Sequence, residues 1–127
     1  MKKLFKNIKD KYIYLFVLLT IVIFSIAFDP VRTIDSQVLE TSDKLKHIAA
    51  FFTLSYFLFE STIKFHDLFR FLILVFLAFF IEYVQSIIGR EASLMDFLAS
   101  TSGVLIYILL RYTYKKVFKE NLDNISR

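Results

Sequence analysis

Four long apolar stretches alternate with short charged segments along the chain. The first, YIYLFVLLTIVIFSIAF, carries no charge, whereas the other three contain a few polar residues each. Each stretch is about 17–22 residues long, enough for a helix that rises 1.5 Å per residue to cross a hydrocarbon core of about 30 Å. Because backbone amides in lipid must be paired within the chain, all four are predicted to be helices. The predicted spans cover residues 12–28, 44–63, 68–88 and 93–114.

The composition supports a membrane protein over a soluble domain of the same length. Of 127 residues, 57% are hydrophobic, and 16 are phenylalanines. A soluble chain of this size would need more polar residues to cover its surface. The two glycines and one proline leave few points where a helix would break, and the lack of cysteine excludes disulfides and thiolate chemistry. The expected fold is therefore an all-α integral membrane bundle of four transmembrane helices.

The distribution of basic residues predicts the orientation of this bundle. Twelve of the sixteen lysines and arginines lie in the N-terminal segment, around the loop between spans two and three (Lys64 and Arg70), or from Arg111 to the C-terminus. Positive charge stays on the cytoplasmic side, so residues 1–11 and the tail 115–127 are both predicted to be cytoplasmic. The first span is predicted to remain as an anchor, because it is long for a signal peptide and lacks a clear cleavage site. Orientation and attraction to anionic lipid account for the basic excess, and no nucleic-acid binding is predicted.

A group of polar residues is expected at the outer ends of spans two, three and four. Its members are Asp43, Lys44, His47, Glu82, Gln85, Arg90, Asp96 and Ser100. They come from different helices but reach a common depth, and Ser42 or Asp43 is a candidate N-cap for the second helix. An isolated charge at a helix centre costs about 3 kcal/mol on insertion scales, so charges at one depth are expected to offset one another. We interpret the group as one polar pocket.

The residue types in this group are compatible with three kinds of role. Lys44 and Arg90 could hold a phosphate or carboxylate. His47 could transfer a proton, with Glu82 or Asp96 as its partner. Alternatively, the group could only lock the helices together by ion pairs. The same His47, Glu82 and Asp96 could ligate a divalent metal, but a second histidine is lacking nearby, and neither a metal nor a cofactor is predicted.

The fourth span also carries small residues at a spacing that favours close helix packing. Ala99 and Gly103 are four residues apart, which places them on one face of the helix. Small residues at this spacing let two helix backbones approach closely in membranes. The face is therefore predicted to contact another helix.

Three motifs resemble those of the VanZ-like family. DKLKH (43–47) resembles its D-K-x-x-H, and EYVQ (82–85) resembles its E-x-x-Q. Arg90 with SLMDFLASTSG (93–103) resembles its R-x-x-S-x-x-D-x-x-x-N-x-x-G. The resemblance covers residues 43–110, with one departure: Ser100 stands where the family usually has asparagine. A serine forms hydrogen bonds but cannot bridge two groups as a carboxamide does.

The resemblance implies a multi-pass protein of the bacterial cytoplasmic (inner) membrane. The family takes its name from a member that gives resistance to the glycopeptide teicoplanin. On this basis the polar pocket is expected to bind a membrane lipid, a lipid-linked cell-wall precursor or a glycopeptide, and to affect teicoplanin susceptibility. An integral-membrane enzyme that acts on a lipid-linked substrate, and a structural accessory subunit, remain alternatives. The sequence makes no prediction of oligomeric state.

Overall fold

The protein is all-helical in the part of the chain that the structure describes. The computed structural model describes the backbone of residues 2–27, 36–62, 64–89 and 92–127, and the side chains of residues 11–23, 43–62, 64–89 and 92–127. Four helices are present: α1 (Lys2–Ala27), α2 (Ser36–Ser61), α3 (Asp67–Ile87) and α4 (Leu94–Ile125). No strand occurs within these ranges, so the predicted all-α class is confirmed.

Three of the helices extend beyond the apolar stretches that predicted them. α1 begins ten residues before the first predicted span, α2 begins eight residues before the second, and α4 continues to Ile125. Ser42 and Asp43 therefore lie inside α2, and the N-cap predicted there is wrong. The physical reason is that the flanking segments are rich in lysine, glutamate and leucine, which favour helix, and contain no glycine to end it.

The two ends of α3 have clear local causes. His66 precedes the helix in an extended conformation, and its side chain accepts a hydrogen bond from the Leu68 amide at 3.3 Å. After the helix, Gly89 has a φ of +81°, a left-handed conformation that suits glycine and ends many helices. Ser93 then stands at the N-cap position of α4.

The core lies between one face each of α2, α3 and α4. Its fully buried apolar side chains are Phe51, Leu54, Leu58, Phe59, Leu74, Ala78, Ile81, Val104 and Tyr107. They recur every three or four residues along each helix, as expected for one buried face of a 3.6-residue repeat. α2 is the central element: it packs most extensively against α4 and also contacts α1 and α3.

The backbones of α2 and α4 approach closely at Gly103 of α4 and Ile48 of α2. A Cβ atom added to Gly103 would lie 2.4 Å from the Ile48 carbonyl oxygen and 3.1 Å from its Cα. Ala99 is buried on the same face, so the predicted contact of small residues is confirmed. Only a residue without a side chain fits at Gly103, because its neighbour is backbone and cannot rotate away.

The outer faces of the bundle are apolar as well. Large side chains such as Phe76, Phe79, Leu109 and Leu110 are all more than half exposed. Among the described helices, α4 alone is long and apolar enough, by length and composition, to cross a membrane, and 28% of its apolar window is buried. A shorter apolar section occupies Lys11–Ile23 of α1. These features weakly support association with a membrane, and the arrangement of four spans stays a prediction.

Candidate functional site

His47 on α2 is held against α4 by a hydrogen bond between side chains. Its Nδ1 lies 3.0 Å from the Ser100 hydroxyl oxygen, and Ser100 is 1% exposed. The contact joins residues 53 positions apart in the sequence. If the hydroxyl accepts from Nδ1–H, then Nε2 is a base; if it donates to Nδ1, then Nε2–H is a donor. In either tautomer the bond fixes the orientation of the imidazole ring.

Glu82 on α3 is anchored from the turn that leads into α4. Its Oε2 accepts a hydrogen bond from the Ser93 backbone amide at 3.0 Å, and the residue is 7% exposed. Because Ser93 is the N-cap of α4, Glu82 lies close to the start of that helix. Backbone amides at a helix N-terminus favour a negatively charged group, which offsets part of the cost of burying the carboxylate.

Three side chains from three helices meet at this point. His47, Glu82 and Asp96 each offer a nitrogen or oxygen atom, and these atoms all lie within 4.8 Å of one another. Asp96 belongs to the first turn of α4, where the helix dipole favours an acid. We refer to His47, Glu82, Asp96 and Ser100 as the polar cluster. Its existence agrees with the convergence that the sequence predicted for these four residues.

The other residues predicted for the site are Gln85, Asp43, Lys44 and Arg90, and they are not members of the polar cluster. Gln85 is buried one turn after Glu82 and on the same face of α3. Asp43 forms an ion pair with Lys46 at 3.3 Å, a partner that the sequence reasoning did not include. Lys44 is half-buried on α2, three residues before His47. Arg90 lies outside the described residues.

The geometry of the polar cluster permits two kinds of chemistry. An imidazole beside two carboxylates can pass a proton to or from a bound group. The same atoms could surround one divalent cation, since two donors at bonds of 2.0–2.6 Å lie at most about 4–5 Å apart. A single histidine and two acids would leave room for substrate or water ligands. Both possibilities depend on the same three side chains.

Sequence reasoning missed one buried charged residue, Arg70 at the start of α3. The prediction treated it as a loop charge that orients the protein, but it is 4% exposed. Its guanidinium donates to the Phe59 carbonyl oxygen at 2.9 Å and to the Phe65 carbonyl oxygen at 2.8 Å. It also pairs with Asp67. Arg70 therefore closes the α2–α3 turn, at the end of the bundle opposite the polar cluster.

Comparisons with protein families, with curated proteins and with solved structures find no match to this chain. The function proposed below therefore depends on the fold, the site geometry and the motif resemblance.

Proposed function

We propose that the chain is a multi-pass bacterial membrane protein of the VanZ-like type, with both termini in the cytoplasm. In this proposal the polar cluster forms a pocket at the outer leaflet, which binds the polar group of a lipid or of a lipid-linked cell-wall precursor. Binding there affects susceptibility to glycopeptides such as teicoplanin. The observation that carries the proposal is the convergence of His47, Glu82 and Asp96, from three helices, within 4.8 Å of one another.

The exposed surface supports placing all four helices in lipid. On α3, the exposed large side chains include Phe69, Leu72, Ile73, Phe76, Phe79, Phe80 and Tyr83. A soluble bundle would place polar residues on this face, because contiguous exposed apolar area causes association. The helix is 21 residues long, about 30 Å at 1.5 Å per residue, which matches the hydrocarbon thickness. The polar cluster, in which Glu82 and Ser100 are buried, and the apolar exterior thus have the arrangement expected of a membrane bundle.

The polar groups around the cluster suit a ligand that carries both anionic and hydroxyl groups. Lys44 lies less than one turn before His47 on α2 and can contribute positive charge, and by sequence Arg90 follows the end of α3. A lysine or arginine binds phosphate, while carboxylates such as Asp96 accept hydrogen bonds from hydroxyls. Lipid-linked cell-wall precursors combine both kinds of group at the membrane surface. The pocket is therefore proposed for recognition at the outer leaflet.

The test compares a variant that removes the charge of Glu82 with a control variant at the neighbouring, uncharged Tyr83. The host gene is deleted and complemented with the wild type, with Glu82→Gln, or with Tyr83→Phe, whose side chain is exposed on the same helix. We expect teicoplanin sensitivity to rise in the deletion strain and in Glu82→Gln, and to return to normal with Tyr83→Phe. Membrane fractions must contain equal amounts of each variant. Unchanged sensitivity on deletion would remove the glycopeptide part of the proposal.

Binding itself has a separate measurement. Purified wild-type protein is expected to retain polar lipids or precursors that mass spectrometry detects, and Glu82→Gln is expected to lose them. If both variants retain the same lipids in the same amounts, the pocket does not bind them.

A catalytic role is the second candidate, and the His47–Ser100 hydrogen bond favours it. A ring nitrogen held at 3.0 Å from a buried hydroxyl keeps the opposite nitrogen directed for proton transfer. Catalysis predicts that His47→Ala abolishes the biological effect while ligand retention persists. A binding role predicts that both are lost together.

A further inference from the structure

A second charged group lies at the opposite end of the bundle from the polar cluster. Arg70 of α3 and Arg111 of α4 both face the ring of Phe59, near the end of α2. The guanidinium carbon of Arg70 is 4.4 Å from the ring centre, and that of Arg111 is 5.1 Å from it. We call Arg70 and Arg111 the arginine pair. The ring face attracts both cations but does not neutralise them.

The hydrogen bonds of Arg70 leave one of its donors unused. Nη1 and Nη2 bind the carbonyl oxygens of Phe59 and Phe65, and Nη2 also pairs with Asp67. Nε is buried and has no hydrogen-bond partner in the described part of the chain. Asp67 itself is 63% exposed, so water weakens its attraction for the buried guanidinium.

Arg111 is less well satisfied than Arg70. Its Nε and Nη1 are shielded from solvent and have no hydrogen-bond partner among the described residues. It forms no ion pair with any described acid, and this includes the half-buried Glu60 on α2. An unsatisfied buried donor costs about 1–3 kcal/mol, and more when the group is charged. Arg111 interacts with the Tyr107 hydroxyl, and the Glu60 carboxylate acts on that hydroxyl from a distance. Among the described acids, Asp67 alone pairs directly with either guanidinium.

The surroundings indicate the class of anion that the arginine pair suits. Lys64, Lys115 and Lys116 are exposed and lie within a few residues of the α2–α3 turn or of Arg111. A guanidinium matches the geometry of phosphate oxygens and can donate two parallel hydrogen bonds to them. Arg111 is only half-buried as a residue. Its Nε and Nη1 are shielded from solvent, so a phosphate reaches these two donors only when the side chain shifts outward. We infer that the arginine pair binds a phosphate group, with Arg111 in direct contact and Arg70 supporting it electrostatically.

Two sources can present such a group. One is the phosphodiester head group of an anionic lipid. The membrane surface would then also contact the exposed apolar side chains near the arginine pair, which are Phe65, Leu68, Phe69 and Tyr112. The other is free phosphate. The site lies at the end of the bundle away from the polar cluster, and it does not depend on the function proposed for that cluster.

The test measures phosphate-dependent stability of the full-length protein in uncharged detergent. Thermal unfolding is followed while phosphatidylglycerol, a phosphate-free glycolipid or inorganic phosphate is added, each at constant ionic strength. Arg111→Gln removes the proposed contact. Lys119→Gln makes the same change of charge at an exposed position of α4, two turns further on, and is the control.

We expect phosphatidylglycerol to raise the Tm of the wild type, and the glycolipid to leave it unchanged. The apparent affinity should fall about tenfold in Arg111→Gln, the equivalent of one charged hydrogen bond, and stay near the wild-type value in Lys119→Gln. Arg111→Lys keeps the charge without the planar fork and should bind with intermediate affinity; it also serves if Arg111→Gln does not fold. Stabilisation by inorganic phosphate, lost in Arg111→Gln, would identify free phosphate as the source.

Two results would overturn the inference. An equal loss in Arg111→Gln and Lys119→Gln would mean that lipid binding is nonspecific attraction to a basic surface. A Glu60→Gln variant destabilised as much as Arg111→Gln, with no phosphate effect in either, would mean that Arg111 pairs with Glu60 instead.

Discussion

Gly103 is the position where a single added methyl group should disturb the bundle most directly. The Cβ of Gly103→Ala would lie 2.4 Å from the Ile48 carbonyl oxygen. Contacts of Cβ atoms are essentially never shorter than 3.0 Å, so α2 and α4 must separate by about 0.6 Å or more at this point. The neighbour is backbone, and no rotamer change can relieve the clash.

The expected cost follows from two opposing effects. Overpacking a core costs about 1–3 kcal/mol, and contact with rigid backbone places Gly103→Ala in the upper part of that range. Alanine gains about 1 kcal/mol over glycine as a helix former, which offsets part of the loss. The predicted net destabilisation is therefore about 1–2 kcal/mol, even though glycine-to-alanine changes within helices usually stabilise them.

The assay is equilibrium unfolding in detergent, followed by the helical circular dichroism signal. Ser102→Ala is the control, because Ser102 is on the same helix and its hydroxyl donates to the Leu98 carbonyl oxygen of that helix. We expect this control to match the wild type within about 0.5 kcal/mol. If Gly103→Ala is as stable as the wild type, or more stable, the close approach of α2 and α4 does not exist and the reasoning fails.

Three further predictions concern buried polar groups. Arg70→Gln should lower the free energy of unfolding by about 2–4 kcal/mol, because it removes the charged hydrogen bonds that close the α2–α3 turn. Lys64→Gln, at an exposed position, should change the free energy of unfolding little. Equal effects of the two substitutions would contradict the role of Arg70 in closing the turn. Ser100→Ala should lower the free energy of unfolding by about 1–3 kcal/mol, because it removes the hydroxyl beside His47 Nδ1. An unchanged NMR signal of the His47 imidazole in this variant would argue against the contact. A chelator should leave the Tm of the wild type unchanged, because no metal is predicted at the polar cluster. If the chelator lowered the Tm of the wild type but not that of Glu82→Gln, a cation would be bound there.

The number and type of the helices could be predicted from hydrophobic pattern, but several of their ends could not. The apolar stretches marked α3 to within one residue at each end, because the polar His66 and Asp67 stand at its start and Gly89 lies two residues after its last residue. α4, in contrast, continues through Lys115, Lys116 and Lys119 to Ile125. Hydropathy reports where a helix can lie in lipid, whereas helix propensity decides where it stops, and lysine is a good helix former.

The site residues could be predicted by depth but not by pairing. Counting residues along each helix placed His47, Glu82 and Asp96 at one level, and the structure brings them within 4.8 Å. The choice of Ser100 as the partner of His47 depends on how α2 and α4 rotate about their axes, which sequence spacing does not fix. The Ser93 amide that binds Glu82 is a backbone group, so its role does not depend on residue type and has no signature in the sequence.

Arg70 was missed for a different reason. A basic residue in a short loop is usually exposed, and positive charge there is already explained by membrane orientation. Its burial follows from the free carbonyl oxygens at the end of α2, which need donors because no next turn of helix supplies them. The sequence signal that could have found it is an arginine within ten residues of a helix end that lacks a glycine cap.

The serine at position 100 has a physical explanation in the geometry of α2 and α4. Ile48 contacts Gly103 and the preceding His47 contacts Ser100, so adjacent residues of α2 touch residues one turn apart on α4. Where two backbones approach this closely, a short side chain reaches across the gap and a longer carboxamide would push the helices apart. The interpretation is that Ser100 and Gly103 are suited to one interhelical distance. Changing that distance at Gly103 should therefore also lengthen the hydrogen bond that orients His47, so the packing and the chemistry of this site depend on the same contact.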